Sequence, residues 1–382
     1  GRTLEGKYYE KLNYAVGESH EPGSTFKLMA MVRALEDKVI DTSDIIDTKS
    51  GILSFYGRKV RDSKKGGYGK ISAARAFEVS SNTALVQIIN DSYKEYPERF
   101  VDGLFEMKIN ESLGLPILGE GEPLFTHPTD KINWDGLDLP WMAFGYGISL
   151  TPLQTLTFYN AIANDGVMVK PRFIKEVKYF DQIIEKFETE IISESVCSIE
   201  TVDIVKNMMK NVVEKEHGTA HNIYSKDFSM AGKTGTCQTE YWKSSGLYIS
   251  SFAGYFPAEN PKYSCIVVIH KPDKKKGYYG NIVAAPVFKE IAQKIYSNIP
   301  KTEFYNSKEF SLKENKINQK SISDLENMIM PDISSYELMD IIPILENAGC
   351  KVEIEGKGNK VRQLVKPGTK LKKGQKIKIK LI

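Results

Sequence analysis

Three short motifs stand far apart along this chain, and a fold that uses all of them must bring distant segments together. They are Ser24-Thr25-Phe26-Lys27, Ser80-Ser81-Asn82 and Lys233-Thr234-Gly235-Thr236. In the first motif a serine and a lysine are three residues apart, which on a helix places a hydroxyl and an amine on one face. A serine beside its own base is an activated nucleophile. Each motif alone has a bland explanation, such as a helix cap or an exposed lysine, but together they indicate one catalytic site.

The segment around Ser24 predicts how the nucleophile is presented. Pro22-Gly23 interrupts the preceding structure, and apolar residues then recur at helical spacing from Phe26 to Leu35. We therefore place Ser24 at a helix N-terminus, where free amides favour a developing negative charge. Lys27 must be neutral to accept the serine proton, and we expect burial and a second cation, Lys233, to lower its pKa.

Further segments extend the pattern and identify a family. They are Glu21-Pro22-Gly23, Phe144-Gly145-Tyr146-Gly147, Thr151-Pro152-Leu153-Gln154, Ala161-Ile162-Ala163-Asn164-Asp165-Gly166, Gly218-Thr219-Ala220, Ser251-Phe252-Ala253-Gly254-Tyr255-Phe256-Pro257 and Ala284-Ala285-Pro286-Val287-Phe288. From about Asn13 to Asn298 the chain resembles the class B penicillin-binding proteins, monofunctional transpeptidases that cross-link peptidoglycan.

The resemblance implies ping-pong acyl transfer that uses no cofactor and no metal. Ser24 attacks the D-alanyl-D-alanine bond of a stem peptide, and Lys27 takes its proton. Ser80 relays the proton to the leaving amine, and Asn82 binds an amide of the substrate. An amine from a neighbouring stem peptide then releases the acyl group and forms a cross-link. A β-lactam antibiotic would acylate Ser24 in the same way.

The third motif is interpreted as the substrate-binding strand. Gly235 lets the substrate backbone lie against the strand, and Thr234 and Thr236 offer hydroxyls to the terminal carboxylate while Lys233 supplies positive charge. By resemblance, the backbone amides of Ser24 and Thr236 form the oxyanion hole.

The expected fold class is α/β (α+β), with an antiparallel sheet backed by helices and a mostly helical lobe beside it. Residues 1–300 would form this penicillin-binding domain, with the catalytic groove between the sheet and the lobe. Helical patterns dominate residues 24–166, and strand patterns dominate residues 228–272. The individual predictions are helices at Ile71–Asn90, Pro152–Asn164 and Ala284–Ser297 and strands at Tyr248–Tyr255 and Tyr263–Ile269.

The C-terminal part predicts a second, smaller α+β domain. Residues 301–327 are polar and are predicted to be a linker. Residues 328–382 resemble a PASTA domain, with a helix at Ser335–Ala348 and strands at Lys351–Ile354 and Gln375–Leu381. Residues 351–382 include eleven Lys or Arg and two Asp or Glu. This charge indicates either attraction to an anionic wall polymer or lipid surface, or a solvated face whose lysines protect an edge strand.

Cysteines and histidines signal neither a disulfide framework nor a metal site. The four cysteines, Cys197, Cys237, Cys265 and Cys350, are scattered, and we expect free, mostly buried thiols with Cys237 near the site. The five histidines lie outside any nucleophile motif. His217 and His221 flank Gly218 and Thr219, which favours a turn over a pair of metal ligands.

The expected location follows from the family. The sequence has no apolar run of about twenty residues and no signal peptide, yet this chemistry takes place outside the cytoplasm. Because family members begin with a membrane anchor, a pedestal domain and the first strands of the sheet, we expect those parts to be missing here. The full protein would be anchored in the bacterial cytoplasmic (inner) membrane, with an extracytoplasmic catalytic domain that needs the missing strands for full activity.

The sequence therefore predicts a septal, division-type transpeptidase, with a sporulation-specific relative left open. Its expected partners are stem peptides, β-lactams, a lipid-linked glycan polymerase and divisome proteins, with no nucleic acid. Two other classes compete. A serine β-lactamase or β-lactam sensor would need a group that activates deacylating water, and none is found by motif. A non-catalytic wall-binding scaffold would not need the intact motifs.

Overall fold

The computed structural model describes residues 12–180, 182–239, 246–298, 323–325, 327–334, 338–356 and 361–381. The chain divides into two compact units, Gly1–Asn298 and Ile299–Ile382, and each is described by itself. Residues 301–322, most of the predicted linker, lie outside the described residues, as does the predicted helix start at Ser335.

Helices make up much of the first unit. They are α1 (Tyr14–Gly17), α2 (Lys27–Glu36), α3 (Ala73–Glu78), α4 (Asn82–Tyr93), α5 (Pro97–Glu106), α6 (Asp138–Met142), α7 (Pro152–Ala163), α8 (Ile199–Glu214), α9 (Gly280–Val283) and α10 (Ala285–Asn298), with 3₁₀ turns at Gly23–Thr25 and His221–Ile223. Helix α2 is central, because residues on every side of it are buried. A helix that is apolar all round belongs inside a core.

The strands of the first unit form one three-stranded sheet and several two-stranded pairs. They are β1 (Ile45–Asp47), β2 (Ile52–Phe55), β3 (Arg58–Arg61), β4 (Lys70–Ser72), β5 (Met168–Val169), β6 (Glu176–Tyr179), β7 (Gln182–Lys186), β8 (Ile191–Ser193), β9 (Ala231–Thr239), β10 (Leu247–Phe256) and β11 (Tyr263–His270). The three-stranded sheet is antiparallel in the order β11-β10-β9. The small pairs are β1 with β4, β2 with β3, β5 with β8 and β6 with β7.

Aromatic packing attaches the sheet to its helices. The ring of Phe288 on α10 meets Phe252 and Phe256 of β10 at centroid distances of 4.7 and 5.6 Å. Edge-to-face contacts of this kind add to the gain from burying the rings. The predicted α+β architecture is confirmed, as are α7, α10, β10 and β11 to within one or two residues.

The prediction of one helix over Ile71–Asn90 is wrong. Ile71 and Ser72 belong to β4, which pairs with β1, and the remainder is split into α3 and α4. The break falls at Ser80, whose φ of 57° is left-handed. Ser72 and Ser81 each cap a new helix with the side-chain oxygen. The 3.6-residue periodicity of the sequence runs across this break and therefore hides it. The short strands β1 to β4 were also missed, since three or four residues give too little alternation to detect.

The second unit contains helix α11 (Leu338–Asn347) and strands β12 (Lys351–Gly356), β13 (Val361–Gln363) and β14 (Lys376–Leu381). Strand β14 pairs with β12 in parallel and with β13 antiparallel. The suggestion that its lysines protect an edge strand is therefore wrong, because β14 lies between two strands. Its isoleucines Ile377 and Ile379 are buried, while Lys376 and Lys378 pair with carboxylates of β12 on the exposed face.

Two further findings concern the state of the cysteines and the character of the helices. All four cysteines are free, as expected, and Cys265 is less buried than the other three. Among the helices of the described ranges, none combines the length and apolar character needed to cross a bilayer.

Candidate active site

Ser24 lies in a tight turn that several backbone groups hold in place. The turn is the 3₁₀ segment Gly23–Thr25, and α2 begins only at Lys27. Ser24 therefore stands one turn before the α-helix and not at its first residue, because Gly23 adopts a φ of 55°. The Gly23 amide donates to the Gly145 carbonyl at 3.0 Å, and the Tyr159 hydroxyl donates to the Thr25 carbonyl at 2.8 Å. The Ser24 side chain is partly exposed and lines a cavity.

Lys27 is completely buried and directs its ammonium group at the second motif. Its Nζ donates to the Ser80 carbonyl at 2.8 Å, to Ser80 Oγ at 3.2 Å and to Asn82 Oδ1 at 2.6 Å. These three bonds use all three ammonium hydrogens. Among the described residues Lys27 makes no hydrogen bond to Ser24, so it must give up one of these partners to receive the serine proton.

Ser80 Oγ is shared by two buried lysines. Lys233 Nζ donates to it at 2.7 Å, and Lys27 Nζ donates at 3.2 Å. Both lysine side chains are 0 % exposed. Because a hydroxyl oxygen has two lone pairs, the two lysines occupy both of them and leave the Ser80 hydrogen free to donate elsewhere. Ser80 is thus placed to pass protons between the two amines.

Burial sets the protonation of this pair. It lowers the pKa of Lys27 to about 7, while the nearby Asp62 carboxylate opposes the shift. Burial also lowers the pKa of Lys233 well below its ordinary value, and the charge of Lys27 lowers it further. The expected role of burial is therefore confirmed. The electrostatic part differs from the prediction, because Lys27 acts on Lys233 and the group that acts on Lys27 is Asp62.

Asp62 is one residue of the site that the sequence did not reveal. Its carboxylate accepts hydrogen bonds from the Asn82 amide at 2.7 Å, from the Thr83 amide at 3.0 Å, from Thr83 Oγ1 at 2.7 Å and from Ser81 Oγ at 3.0 Å. It thereby satisfies free amides at the start of α4, where the helix dipole favours negative charge. A lone aspartate between basic residues carries no motif, so only the fold reveals this role.

Strand β9 carries the third motif at one side of the described sheet. Its only strand partner among the described residues is β10, and a strand edge without a partner strand is the kind that an extended peptide can join. Thr234 Oγ1 lies 3.0 Å from Thr219 Oγ1, and Thr236 Oγ1 accepts from the Gly280 amide at 3.0 Å. Thr219 and Gly280 thus support the two threonines. Thr219 belongs to the family-like segment Gly218-Thr219-Ala220, but that resemblance predicted no role for it.

The structure gives a steric reason for Gly235 in addition to the predicted one. A Cβ atom there would lie 2.2 Å from Ser251 Oγ and 2.9 Å from Thr25 Cγ2. Both atoms belong to the protein itself, so the glycine allows β9 to pack against β10 and the nucleophile turn. The predicted close approach of a substrate backbone to Gly235 stays a prediction.

A buried carboxylate, Glu78, fixes the loop that carries Thr219. It accepts from Asn211 Nδ2 at 2.8 Å and lies 2.5 Å from His217 Nε2. The Thr219 amide donates to the Glu78 carbonyl at 3.1 Å. His217 therefore serves as a loop anchor, and the predicted turn between His217 and His221 is confirmed.

A second set of contacts joins the nucleophile turn to the end of β9. Glu21 accepts from the Gly147 amide at 3.0 Å and from Cys237 Sγ at 3.7 Å. Tyr146 accepts from the Gln238 amide through its hydroxyl at 3.1 Å. Cys237 is thus adjacent to the site, as predicted, but it is buried, and burial raises the pKa of its thiol. It contributes packing and not a reactive thiolate.

Two neighbouring glycines offer a test of this junction. Gly145 and Gly147 have φ values of 84° and 71°, but a Cβ on Gly145 would lie 2.1 Å from the Gly23 carbonyl oxygen, whereas one on Gly147 would have 4.0 Å of space. We expect both alanine variants to incur backbone strain of about 1 kcal/mol. Only Gly145→Ala should also displace the turn and slow acylation of Ser24, by about tenfold or more, since small misplacements of a nucleophile are costly.

The measurements are the melting temperature and the rate of acylation by benzylpenicillin for both variants. Gly147→Ala is the matched control, because it adds the same methyl group at a similar φ without the clash. Equal acylation rates for the two variants would show that the Gly145 contact does not position Ser24.

The catalytic side chains open onto one cavity of about 690 Å³. Its lining includes Ser24, Ser80, Asn82, Thr234 and Thr236 of the three motifs. The structure therefore brings together the predicted site residues, with Lys27 and Lys233 buried directly behind Ser80. A hydroxyl nucleophile, a low-pKa amine and a shared hydroxyl in one cavity can support acyl transfer to Ser24.

Comparison with known families agrees with this chemistry. The sequence profile described as "Penicillin binding protein transpeptidase domain" matches residues 3–293, and a PASTA domain profile matches residues 328–381.

Two curated relatives match different shares of this chain. The stage V sporulation protein D of Bacillus subtilis is 27 % identical over 389 residues, which is 100 % of this chain and 56 % of the relative. The peptidoglycan D,D-transpeptidase FtsI of Buchnera aphidicola is 29 % identical over 285 residues, which is 74 % of this chain and 46 % of the relative. The chain thus spans about half the length of these relatives.

Solved structures share the fold. Penicillin-binding protein 3 of Mycobacterium tuberculosis in complex with aztreonam superimposes with a TM-score of 0.64 at 29 % identity, covering 75 % of this chain and 65 % of that one. The transpeptidase domain of penicillin-binding protein 3 from Burkholderia pseudomallei superimposes with a TM-score of 0.63 at 23 % identity, covering 75 % and 82 %.

Proposed function

Since this chain belongs to the penicillin-binding protein transpeptidase family, we propose that it is a peptidoglycan D,D-transpeptidase that forms an acyl-enzyme on Ser24. One observation carries the proposal. Two fully buried lysines donate to the same hydroxyl, Ser80 Oγ, beside a cavity that Ser24 lines. This arrangement supplies a nucleophile, a base of lowered pKa and a proton relay.

The proposed first step acylates Ser24. Lys27, neutral in part at pH 7 because its pKa is about 7, accepts the proton as Ser24 Oγ attacks the carbonyl of the D-Ala-D-Ala bond. The amides of Ser24 and Thr236 stabilise the oxyanion. The peptide C–N bond then breaks, Ser80 passes the proton to the departing amine, and D-alanine leaves. An ester joins the stem peptide to Ser24.

The proposed second step transfers the acyl group. An amine from a neighbouring stem peptide attacks the ester, its proton returns through Ser80 and Lys27, and Ser24 is regenerated with a cross-link formed. Thr234 and Thr236 bind the terminal carboxylate of the donor in the first step, with Lys233 behind them. The Thr234–Thr219 hydroxyl pair can reverse its direction, which frees the Thr234 hydrogen for that carboxylate.

The cavity favours a transpeptidase over a β-lactamase. Asp62 supplies the only carboxylate in the described lining of the cavity. Its oxygens accept four hydrogen bonds from the start of α4 and the adjacent Ser81. A group engaged in this way is poorly placed to activate deacylating water, so a β-lactam adduct on Ser24 should persist. The intact geometry likewise disfavours a non-catalytic scaffold.

The cellular role follows by analogy with the family. We propose that the catalytic unit works outside the cytoplasm in a membrane-anchored protein that cooperates with a glycan polymerase in the septal complex. A sporulation role is a specific second candidate, because the sporulation protein of Bacillus subtilis matches this chain over its whole length, including the PASTA unit.

The deciding experiment is intact-mass analysis during incubation with excess benzylpenicillin, with Ser24→Ala as the control. We expect one stable adduct on the wild-type protein and none on the variant. An adduct that forms and then disappears would identify a β-lactamase. No adduct on a folded wild-type protein would reject the proposed chemistry for this chain.

A further inference from the structure

The cavity has a cationic wall that the acyl-transfer steps leave unused. Residues 57–70 contain six Lys or Arg and one acidic residue, Asp62. Two of these cations, Arg61 and Lys64, line the cavity together with the catalytic residues. A cleft lined by one sign of charge concentrates ligands of the opposite sign.

Strand β3 explains why Arg61 faces the cavity. Val60 is buried against the core, and side chains alternate along a strand, so Arg61 points the other way and is exposed. The Arg61 carbonyl accepts a hydrogen bond from Asn82 Nδ2 at 2.7 Å. Because Asn82 also accepts from Lys27, the backbone of Arg61 is tied directly to the catalytic cluster.

Among the described residues, no carboxylate pairs with the Arg61 guanidinium. Within the described parts of the chain it makes no ion pair and no side-chain hydrogen bond, whereas Arg33 and Arg99 both pair with Asp37. The adjacent Asp62 is turned away, since its oxygens bind the start of α4. Lys64 lies beside the ring of Tyr68, with Nζ 5.3 Å from the ring centroid.

We propose that Arg61, assisted by Lys64, binds a second carboxylate of the donor stem peptide, on the acyl side of the D-Ala-D-Ala bond. This inference rests on the proposed function and on the role that the family resemblance implies for Asn82, which is to bind an amide of the substrate. A carboxylate just beyond that amide reaches the neighbouring Arg61. Arginine suits this task because its planar group is always charged and bonds a carboxylate through two N–H groups. Arg61 is then a specificity-determining residue that reads the charge of the stem peptide.

The test uses two probes that differ by one carboxylate. Carbenicillin is benzylpenicillin with a carboxylate on the acyl side chain, and both acylate Ser24 in the proposed chemistry. Second-order acylation rates are measured for both probes on wild type, Arg61→Gln, Arg61→Lys and Lys65→Gln. Lys65 is exposed but does not line the cavity, so Lys65→Gln is the matched control.

We expect the carbenicillin-to-benzylpenicillin rate ratio to fall about three- to tenfold in Arg61→Gln, the range for a partly exposed charge pair. Arg61→Lys should keep part of the ratio, and Lys65→Gln should keep all of it. Salt at about 0.5 M should lower the wild-type ratio more than that of Arg61→Gln, which keeps only Lys64.

Other outcomes separate the two proposals. A ratio in Arg61→Gln equal to that of wild type, with both probes slowed alike or not at all, would overturn the second-carboxylate site and leave the acyl-enzyme proposal standing. Absence of any benzylpenicillin adduct on folded wild type would overturn both.

Discussion

Replacing Lys27 with methionine is expected to slow acylation of Ser24 by benzylpenicillin about 1,000-fold, because a positioned general base contributes about 10²- to 10⁴-fold. Methionine fills similar space without an amine, so the loss should come from chemistry and not from a cavity. Lys27 alone among the site's amines contacts both Ser80 and Asn82. The measurement is the second-order rate of adduct formation, followed by mass or fluorescence.

The pH dependence makes this prediction specific. Burial lowers the pKa of Lys27 to about 7, and only its neutral form accepts a proton. The wild-type rate should therefore rise about tenfold per pH unit below pH 7 and level off above it, since the neutral fraction follows the lysine titration. Lys27→Met should lose this inflection.

Lys38→Met is the control, because Lys38 is exposed just after the same helix. Its rate and pH profile should match those of wild type. A Lys27→Met protein that reacts within tenfold of wild type, with the inflection retained, would remove Lys27 from the role of base.

Replacing Asp62 with alanine is expected to cost both stability and activity. The change leaves two amides at the start of α4 and two hydroxyls without their acceptor. A loss of about 2–4 kcal/mol in the free energy of unfolding follows from the lost cap and the unsatisfied donors. Acylation should fall about 10- to 100-fold, because Asn82 and its neighbour Ser81 lose their support. Thermal unfolding and adduct formation measure the two effects.

Asp62→Asn separates the charge from the hydrogen bonds. It keeps an acceptor oxygen but removes the charge that raises the pKa of Lys27. The inflection of the pH–rate profile should therefore move to lower pH, which a purely structural role would not produce. Thr83→Val, which removes one of the four donors, should cost about 1 kcal/mol and leave the inflection in place. An unshifted inflection in a folded Asp62→Asn protein would refute the electrostatic link.

The sequence predicted the long elements better than the short ones. Helix α7 and strands β10 and β11 have sustained periodicity and clear boundary residues, so their predictions held to within two residues. The strands β1 to β4 and the break at Ser80 were missed. Their residues are fixed by pairing with distant partners, such as β1 with β4, and by a left-handed φ that local propensity does not favour for serine.

For the candidate site, the sequence predicted a set of motif residues that the structure brings together around one cavity. Ser24, Lys27, Ser80 and Lys233 were named from their motifs because nucleophile, base and relay require particular functional groups. The supporting residues were not found. Asp62, Glu78 and Thr219 act by accepting hydrogen bonds, which many polar residues do, so their identity carries no signal until their neighbours are known.

By itself, the sequence therefore determined the family, the α+β class and the C-terminal domain type, and it led to the proposed chemistry. Tertiary structure decided how the chemistry is tuned. Only the fold buries Lys27 and Lys233 around one hydroxyl, sets Asp62 against α4 and gives Gly235 its neighbours in β10 and the nucleophile turn. The physical reason is that pKa values, hydrogen-bond partners and steric limits depend on which atoms meet in space, and here those atoms are 16 to 210 residues apart along the chain.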